Sequence, residues 1–235
     1  MRKTLTEFNQ SGVPCKFVTP SKWMLDESIR HTGIDLSHKS LVIPNGIDTK
    51  HFKFTDHWDN RHKLLSIRPL IYKGKYAVDL LLESASALND DYTLTLYGRG
   101  QDETIIADVA QKKINQLNFN LKPEFINQKD IPNIHSDHGI YLAVTRMDAQ
   151  GVSMCEAMAS GMPTISFDTC AISEFIKHGE TGLLAKAYDV TEYTNYINEL
   201  AESRTKFDAI ASNARRAMEA IDVRITTEQE LNERI

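Results

Sequence analysis

The chain has 235 residues, 41% of them hydrophobic and 25% charged, with 27 basic residues against 32 acidic ones. That is enough to bury the core of one large domain, or of one domain and a short extension, and the lack of a basic surplus argues against a nucleic-acid-binding surface. No apolar run approaches the roughly 20 residues that span a bilayer, and Met1 to Pro14 lack an apolar signal stretch, so the expectation is a cytoplasmic chain, at most working at the inner membrane face.

In chain order, the first sixty residues read as part of a unit whose remainder is missing. They offer a strand at Cys15–Thr19, a helix with Ser21 as its N-cap, and Leu41–Ile43 leading into the turn Pro44-Asn45-Gly46. Phe52 to His62 is polar with scattered aromatics and reads as a connector. From residue 63 the strands Lys63–Arg68, Tyr92–Gly98, Gly139–Thr145 and Pro163–Asp168 are separated by stretches of helical period. One apolar stripe is Val78, Leu81, Leu82, Ala85 and Leu88; another is Ile106, Ala110, Ile114 and Leu117. This alternation predicts an α/β fold with a Rossmann-like parallel sheet flanked by helices. Val190, Tyr193, Ile197 and Leu200, then Phe207, Ile210, Ala214, Ala217 and Ile221, predict two helices closing the chain. The division expected is residues 1–60 and 61–235.

Cys15, Cys155 and Cys170 are odd in number and far apart, which fits neither a disulfide framework nor a zinc site. The short interval from His135 through Asp137 to His138 is one that chance produces often, and there is no Asp-x-Asp pair. No metal or other cofactor is expected.

The most informative stretch runs from Asp148 through Gly151, Val152, Ser153 and Glu156 to Gly161 and Pro163. Asp148 falls on the loop at the carboxyl end of a strand, where open α/β sheets bind ligands. Gly151 permits a sharp turn into a helix over Val152–Ser160, which Gly161 ends and Pro163 prevents from resuming. The start of such a helix offers free N–H groups and partial positive charge to a phosphate. Glu156, about one turn in, stands where it can accept hydrogen bonds from neutral hydroxyls such as those of a ribose. On spacing alone an equal alternative remains: Asp148 caps a turn and Glu156 is a solvated helix residue.

The stretch resembles the acidic motif of glycosyltransferase family 4, Glu, seven residues, Glu, then Ala-Met-Ala-x-Gly-x-Pro, with Asp148 in place of the first Glu. The resemblance extends to Ser66-Ile-Arg68-Pro-Leu-Ile-Tyr-Lys73-Gly74, Tyr97-Gly98-Arg99-Gly100, Val42-Ile-Pro-Asn-Gly-Ile-Asp48, Ser21-Lys-Trp23 and Ile172-Ser-Glu174, covering roughly residues 15–200. It implies one half of a GT-B fold: the donor-binding half of a retaining hexosyltransferase, with no metal required. Its donor would be a UDP-, GDP- or ADP-linked sugar and its acceptor a glycan or a lipid-linked glycan, as in polysaccharide biosynthesis. It implies that Arg68 and Lys73 clamp the diphosphate, that Asp148 meets the donor sugar, that the backbone at Gly151, Val152 and Ser153 holds the distal phosphate, and that Glu156 binds the ribose. Gly98 would turn the chain near the base pocket, where Glu124-Phe-Ile-Asn127 would meet the nucleobase. Glu174 either orients a loop at the site or caps the helix that follows. Because the family's acceptor domain precedes this segment, the chain is expected to bind donor weakly and to transfer little unaided. A GT-B epimerase or hydrolase, and a binding module with a degenerate site, are the competing readings. A dinucleotide-dependent oxidoreductase would need a fuller glycine fingerprint than Gly98-Arg99-Gly100 supplies.

Overall fold

The computed structural model of the chain describes residues 2–11 and 16–232. Helix α1 (Arg2–Gln10) precedes strand β1 (Phe17–Thr19), helix α2 (Lys22–Thr32) and strand β2 (Ser40–Val42). The two strands pair in parallel, Phe17 opposite Ser40 and Thr19 opposite Val42. Cys15, expected to open β1, lies outside the described residues. Ser21 caps α2 as its sequence predicts, its hydroxyl accepting from the Met24 N–H at 3.2 Å, and Gly33 closes the helix in the left-handed region.

The remaining elements are β3 (Lys63–Ile67), α3 (Val78–Ser86), β4 (Thr93–Tyr97), α4 (Glu103–Lys113), β5 (Asn118–Lys122), α5 (Ile131–Ser136), β6 (Ile140–Ala143), α6 (Val152–Ser160), β7 (Thr164–Phe167), α7 (Ile172–Phe175), β8 (Leu183–Ala185), α8 (Val190–Glu202), α9 (Arg204–Glu219) and α10 (Val223–Asn232). Six strands form one parallel sheet in the order β5-β4-β3-β6-β7-β8. The chain winds outward from β3 to β5, then returns to β6 beside β3 and winds the other way. The carboxyl ends of β3 and β6 therefore flank the topological switch, where such sheets open a crevice.

Both faces of the sheet are covered. Leu64, Leu94, Leu142 and Ile165 pack on one side with Leu81, Leu82, Tyr193 and Ile197 of α3 and α8, while Leu65, Tyr141 and Ala143 pack on the other with Met154, Ala157 and Met158 of α6 and Ala214 and Met218 of α9. Strands β6 and β7 are buried at every residue, which is why they read as short apolar runs rather than alternating ones. Among the described residues, no helix is long and apolar enough to cross a membrane.

Four expectations need correcting. The second stripe ends early: α4 stops at Lys113, and Leu117 lies beyond it, packing into the core just before β5. Strand β5 was not anticipated, because Asn118 and Asn120 are poor strand formers and an edge strand need not be strongly apolar. Strand β8, three residues long, is too short to show a period. Finally, three helices close the chain, not two: α10 turns back, the Ile47 N–H donating to the Ile221 carbonyl and the Val223 N–H to the Ile47 carbonyl, both at 3.0 Å.

Candidate functional site

Arg68 follows directly on β3, and its backbone N–H donates to the Tyr97 carbonyl at 2.9 Å, continuing the β3–β4 ladder by one residue. Gly98 makes that close approach possible: a Cβ there would lie 1.8 Å from the Arg68 carbonyl oxygen. Gly98 therefore shapes the floor beneath Arg68, through its missing side chain. The Arg68 side chain is 4% exposed; Nη1 donates to Asp148 Oδ2 at 3.2 Å, while Nε and Nη2 are buried with no partner among the described residues. Two unpartnered N–H-bearing atoms on one buried guanidinium are unusual, since each unsatisfied donor costs about 1–3 kcal/mol.

Asp148 sits on the β6–α6 loop across the switch from Arg68. Its Oδ1 accepts from the backbone N–H groups of Gln150 (3.2 Å) and Gly151 (2.8 Å). It thus caps the turn, as one sequence alternative held, and it also pairs with Arg68, 80 residues away, as no local pattern foretold. Gly151 takes φ 76 and leads into α6. At the amino end of that helix Val152 is exposed and Ser153 half-buried. The Tyr141 hydroxyl donates to the Ile67 carbonyl at 3.3 Å, tying β6 to the end of β3 just before Arg68.

Glu156 is 7% exposed. Its Oε1 accepts from Gln128 Nε2 at 2.6 Å, and among the described residues no protein group donates to Oε2. Burial raises its carboxyl above the usual range, against the opposing pull of the Gln128 hydrogen bond and of His51. His51 in turn donates through Nε2 to the Gln128 carbonyl at 3.0 Å.

Lys73 is exposed on the β3–α3 loop, its ammonium 5.7 Å from the centroid of the Tyr72 ring. Arg146 binds that loop and the first turn of α3: bidentate to Asp79 at 2.8 Å and to the Gly74 carbonyl at 3.1 Å, while Thr145 Oγ1 donates to the Lys75 carbonyl at 2.9 Å. The loops after β3 and β6 are therefore one body, and Arg146 went unnoticed in the sequence because its partners lie some seventy residues upstream.

Glu174 stands apart. Its carboxylate accepts from the N–H groups of Lys22 (2.8 Å) and Trp23 (2.7 Å), capping α2, not the helix that follows it in sequence. Gln150, another residue missed, is 1% exposed and grips the Pro44-Asn45-Gly46 turn by both atoms of its amide, accepting from the Asn45 N–H at 2.7 Å and donating to the Asn45 carbonyl at 2.8 Å. The histidines bind to the scaffold: His135 Nδ1 lies 2.8 Å from Ser160 Oγ, and His138 Nδ1 2.7 Å from the Ile134 carbonyl. Burial pushes His135 down to about 3 and the Cys155 thiol up to about 12.

Arg68, Asp148, the α6 amino end and Glu156 thus gather at the switch point, and Glu174 does not join them. Comparison with known proteins gives this arrangement a context. The profile of the family described as "Glycosyl transferases group 1" matches residues 48–217. The lipopolysaccharide core biosynthesis mannosyltransferase LpsB of Rhizobium meliloti is 24% identical over 197 residues, covering 77% of this chain and 56% of its own length. Anabaena HepE, solved in complex with UDP and glucose, superposes over 98% of this chain and 65% of its own with a TM-score of 0.81 at 20% identity. The C-terminal domain of the glycosyl transferase group 1 family protein LpcC from Francisella tularensis superposes over 74% of this chain and 97% of its own, with a TM-score of 0.62 at 20% identity. The chain spans about half the length of the first of these relatives and two thirds of the second.

Proposed function

The chain belongs to the glycosyl transferases group 1 family, and from that premise we propose that it is the donor-binding half of a retaining glycosyltransferase that takes a hexose from a nucleotide sugar. The observation that carries this reading is the buried guanidinium of Arg68, with two nitrogens that have no partner among the described residues, beside the amino end of α6 at the sheet's switch point. An anion with several oxygens is the ligand that such a group needs, and a diphosphate supplies it. A dinucleotide-binding oxidoreductase would share the switch point but not a buried carboxylate with a free oxygen one turn into the helix.

Bond breaking at the anomeric carbon leaves negative charge on the departing diphosphate. In this reading Arg68, Lys73 and the N–H groups of Val152 and Ser153 stabilise that charge, and the free oxygen of Glu156 accepts from ribose hydroxyls. The family's acceptor domain would precede residues 1–60, so the segment from β1 to β2 and the hinge at Asn45 belong to its edge. UDP is a reasonable first probe, because HepE is named with UDP and glucose bound.

Isothermal titration of the chain with UDP, GDP and ADP, and with their hexose conjugates, tests the assignment. Binding to one nucleoside diphosphate, weakened at least tenfold in Arg68→Met, is the expected result. A folded chain that binds none of the six sinks it.

A further inference from the structure

The carboxylate of Asp148 is already committed. Oδ1 holds the N–H groups of Gln150 and Gly151, and Oδ2 holds Arg68 Nη1. A side chain this short reaches its own turn two and three residues on, which is the geometry of an Asx turn, and the side chain is 21% exposed. Arg68 presents five N–H groups in a rigid planar fork. One edge is fixed by Asp148; Nε and Nη2 are left unpartnered at 4% exposure. Removing Asp148 would take from a buried guanidinium its one ion-pair partner among the described residues, and with it a fixed orientation.

We infer that Asp148 is a positioning residue: it fixes the Arg68 guanidinium and the turn into α6, so that both meet the diphosphate, and it makes no contact with the donor sugar. The inference rests on the donor-site reading above and sharpens it, because it separates the two carboxylates by task. Glu156 keeps a free oxygen for a hydroxyl ligand, whereas the three hydrogen bonds to Asp148 all come from the protein. Sugar selection then falls to other groups.

The experiment measures Kd for two ligand pairs, UDP with UDP-glucose and GDP with GDP-mannose, by titration of the parent chain, Asp148→Asn, Asp148→Glu, Arg68→Met and the double variant Asp148→Asn/Arg68→Met. Far-UV circular dichroism and thermal melting establish which variants are folded. Asp148→Asn keeps an acceptor for the turn amides and removes the charge facing Arg68; Asp148→Glu keeps the charge but moves it outward by a methylene. Each variant that folds is expected to change the affinity for nucleoside diphosphate and for its sugar conjugate by the same factor of three or more, leaving their ratio within twofold of the parent. In the Arg68→Met background the Asp148→Asn effect should disappear. A tenfold loss confined to the sugar conjugate, or unchanged affinity for both ligands, overturns the inference while leaving the donor site standing. No binding by the folded parent chain overturns both.

Discussion

Among the described residues Glu156 is held by a single side chain, Gln128, whose amide comes from a short 3-10 helix 28 residues earlier. Burial drives the carboxyl toward its neutral form, and that hydrogen bond is the strongest of the forces opposing it. The pH consequence follows directly. A raised folded-state value means that Glu156 takes up its proton at a higher pH than an ordinary glutamate, so an interaction needing the carboxylate is lost on acidification earlier than an ordinary glutamate would lose it. Gln128→Ala removes a lowering influence and should move that loss to higher pH, with nucleotide affinity at neutral pH falling about fivefold, the factor that the roughly 1 kcal/mol of a typical hydrogen bond implies. Titration of UDP across the acidic range measures both; identical profiles for parent and variant would show that Gln128 does not tune Glu156. Glu156 itself was legible, because the glycines and proline around it announce a helix at a strand's end. Gln128 was not, since it sits on an exposed segment with no period and its meaning comes entirely from a contact across the fold. The pairing of Arg68 with Asp148 was hidden for the same reason: each residue stood out locally, but nothing local joins them.

Elements were legible where their signals are local. Ser21 as a cap, Gly161 as a stop and the apolar runs of β6 and β7 each depend on a few neighbouring residues. What escaped was the edge of the sheet at β5 and β8, where strands are short or half-exposed and pairing is decided by the neighbouring strand. Glu174 shows how an element can be capped from afar: sequence offered loop orientation at the site or a cap on the helix that follows, and its two oxygens cap α2 from 151 and 152 residues away. Losing such a cap costs about 1 kcal/mol. Glu174→Ala should therefore speed hydrogen exchange at the Lys22 and Trp23 amides about fivefold, the factor that free energy implies for local opening, and leave nucleotide affinity unchanged. A variant that loses affinity while those amides keep their protection would return Glu174 to the donor site.

At the scale of the whole molecule, three of the devices that join the first sixty residues to the sheet act around the Pro44-Asn45-Gly46 turn and α2, apart from the bonds that Arg215 makes to the Thr49 and Phe52 carbonyls. Gln150 clasps the Asn45 peptide, Glu174 caps α2, and α10 crosses back to lie against Gly46 and Ile47. The last of these is secured by Asp222, whose carboxylate accepts from both Thr49 and Arg224; the Arg224 hydrogen bond is the main force holding it well below the usual range. Gly46 is where the crossing is tightest: a Cβ there would lie 2.3 Å from Thr226 Oγ1 and 2.4 Å from the Val223 Cα, and the second is backbone that cannot rotate away. Gly179, by contrast, has nothing within 4 Å of the same added atom. Gly46→Ala must push α10 off the hinge, and overpacking of this kind costs about 1–3 kcal/mol. The expected outcome is a lower melting temperature together with new proteolytic cleavage between Asp222 and Asn232, while the sheet, which packs its core without Gly46, retains its circular dichroism. Should the variant melt with the parent and resist cleavage, α10 does not depend on the Gly46 contact, and the Pro44-Asn45-Gly46 turn is held by Gln150 without it.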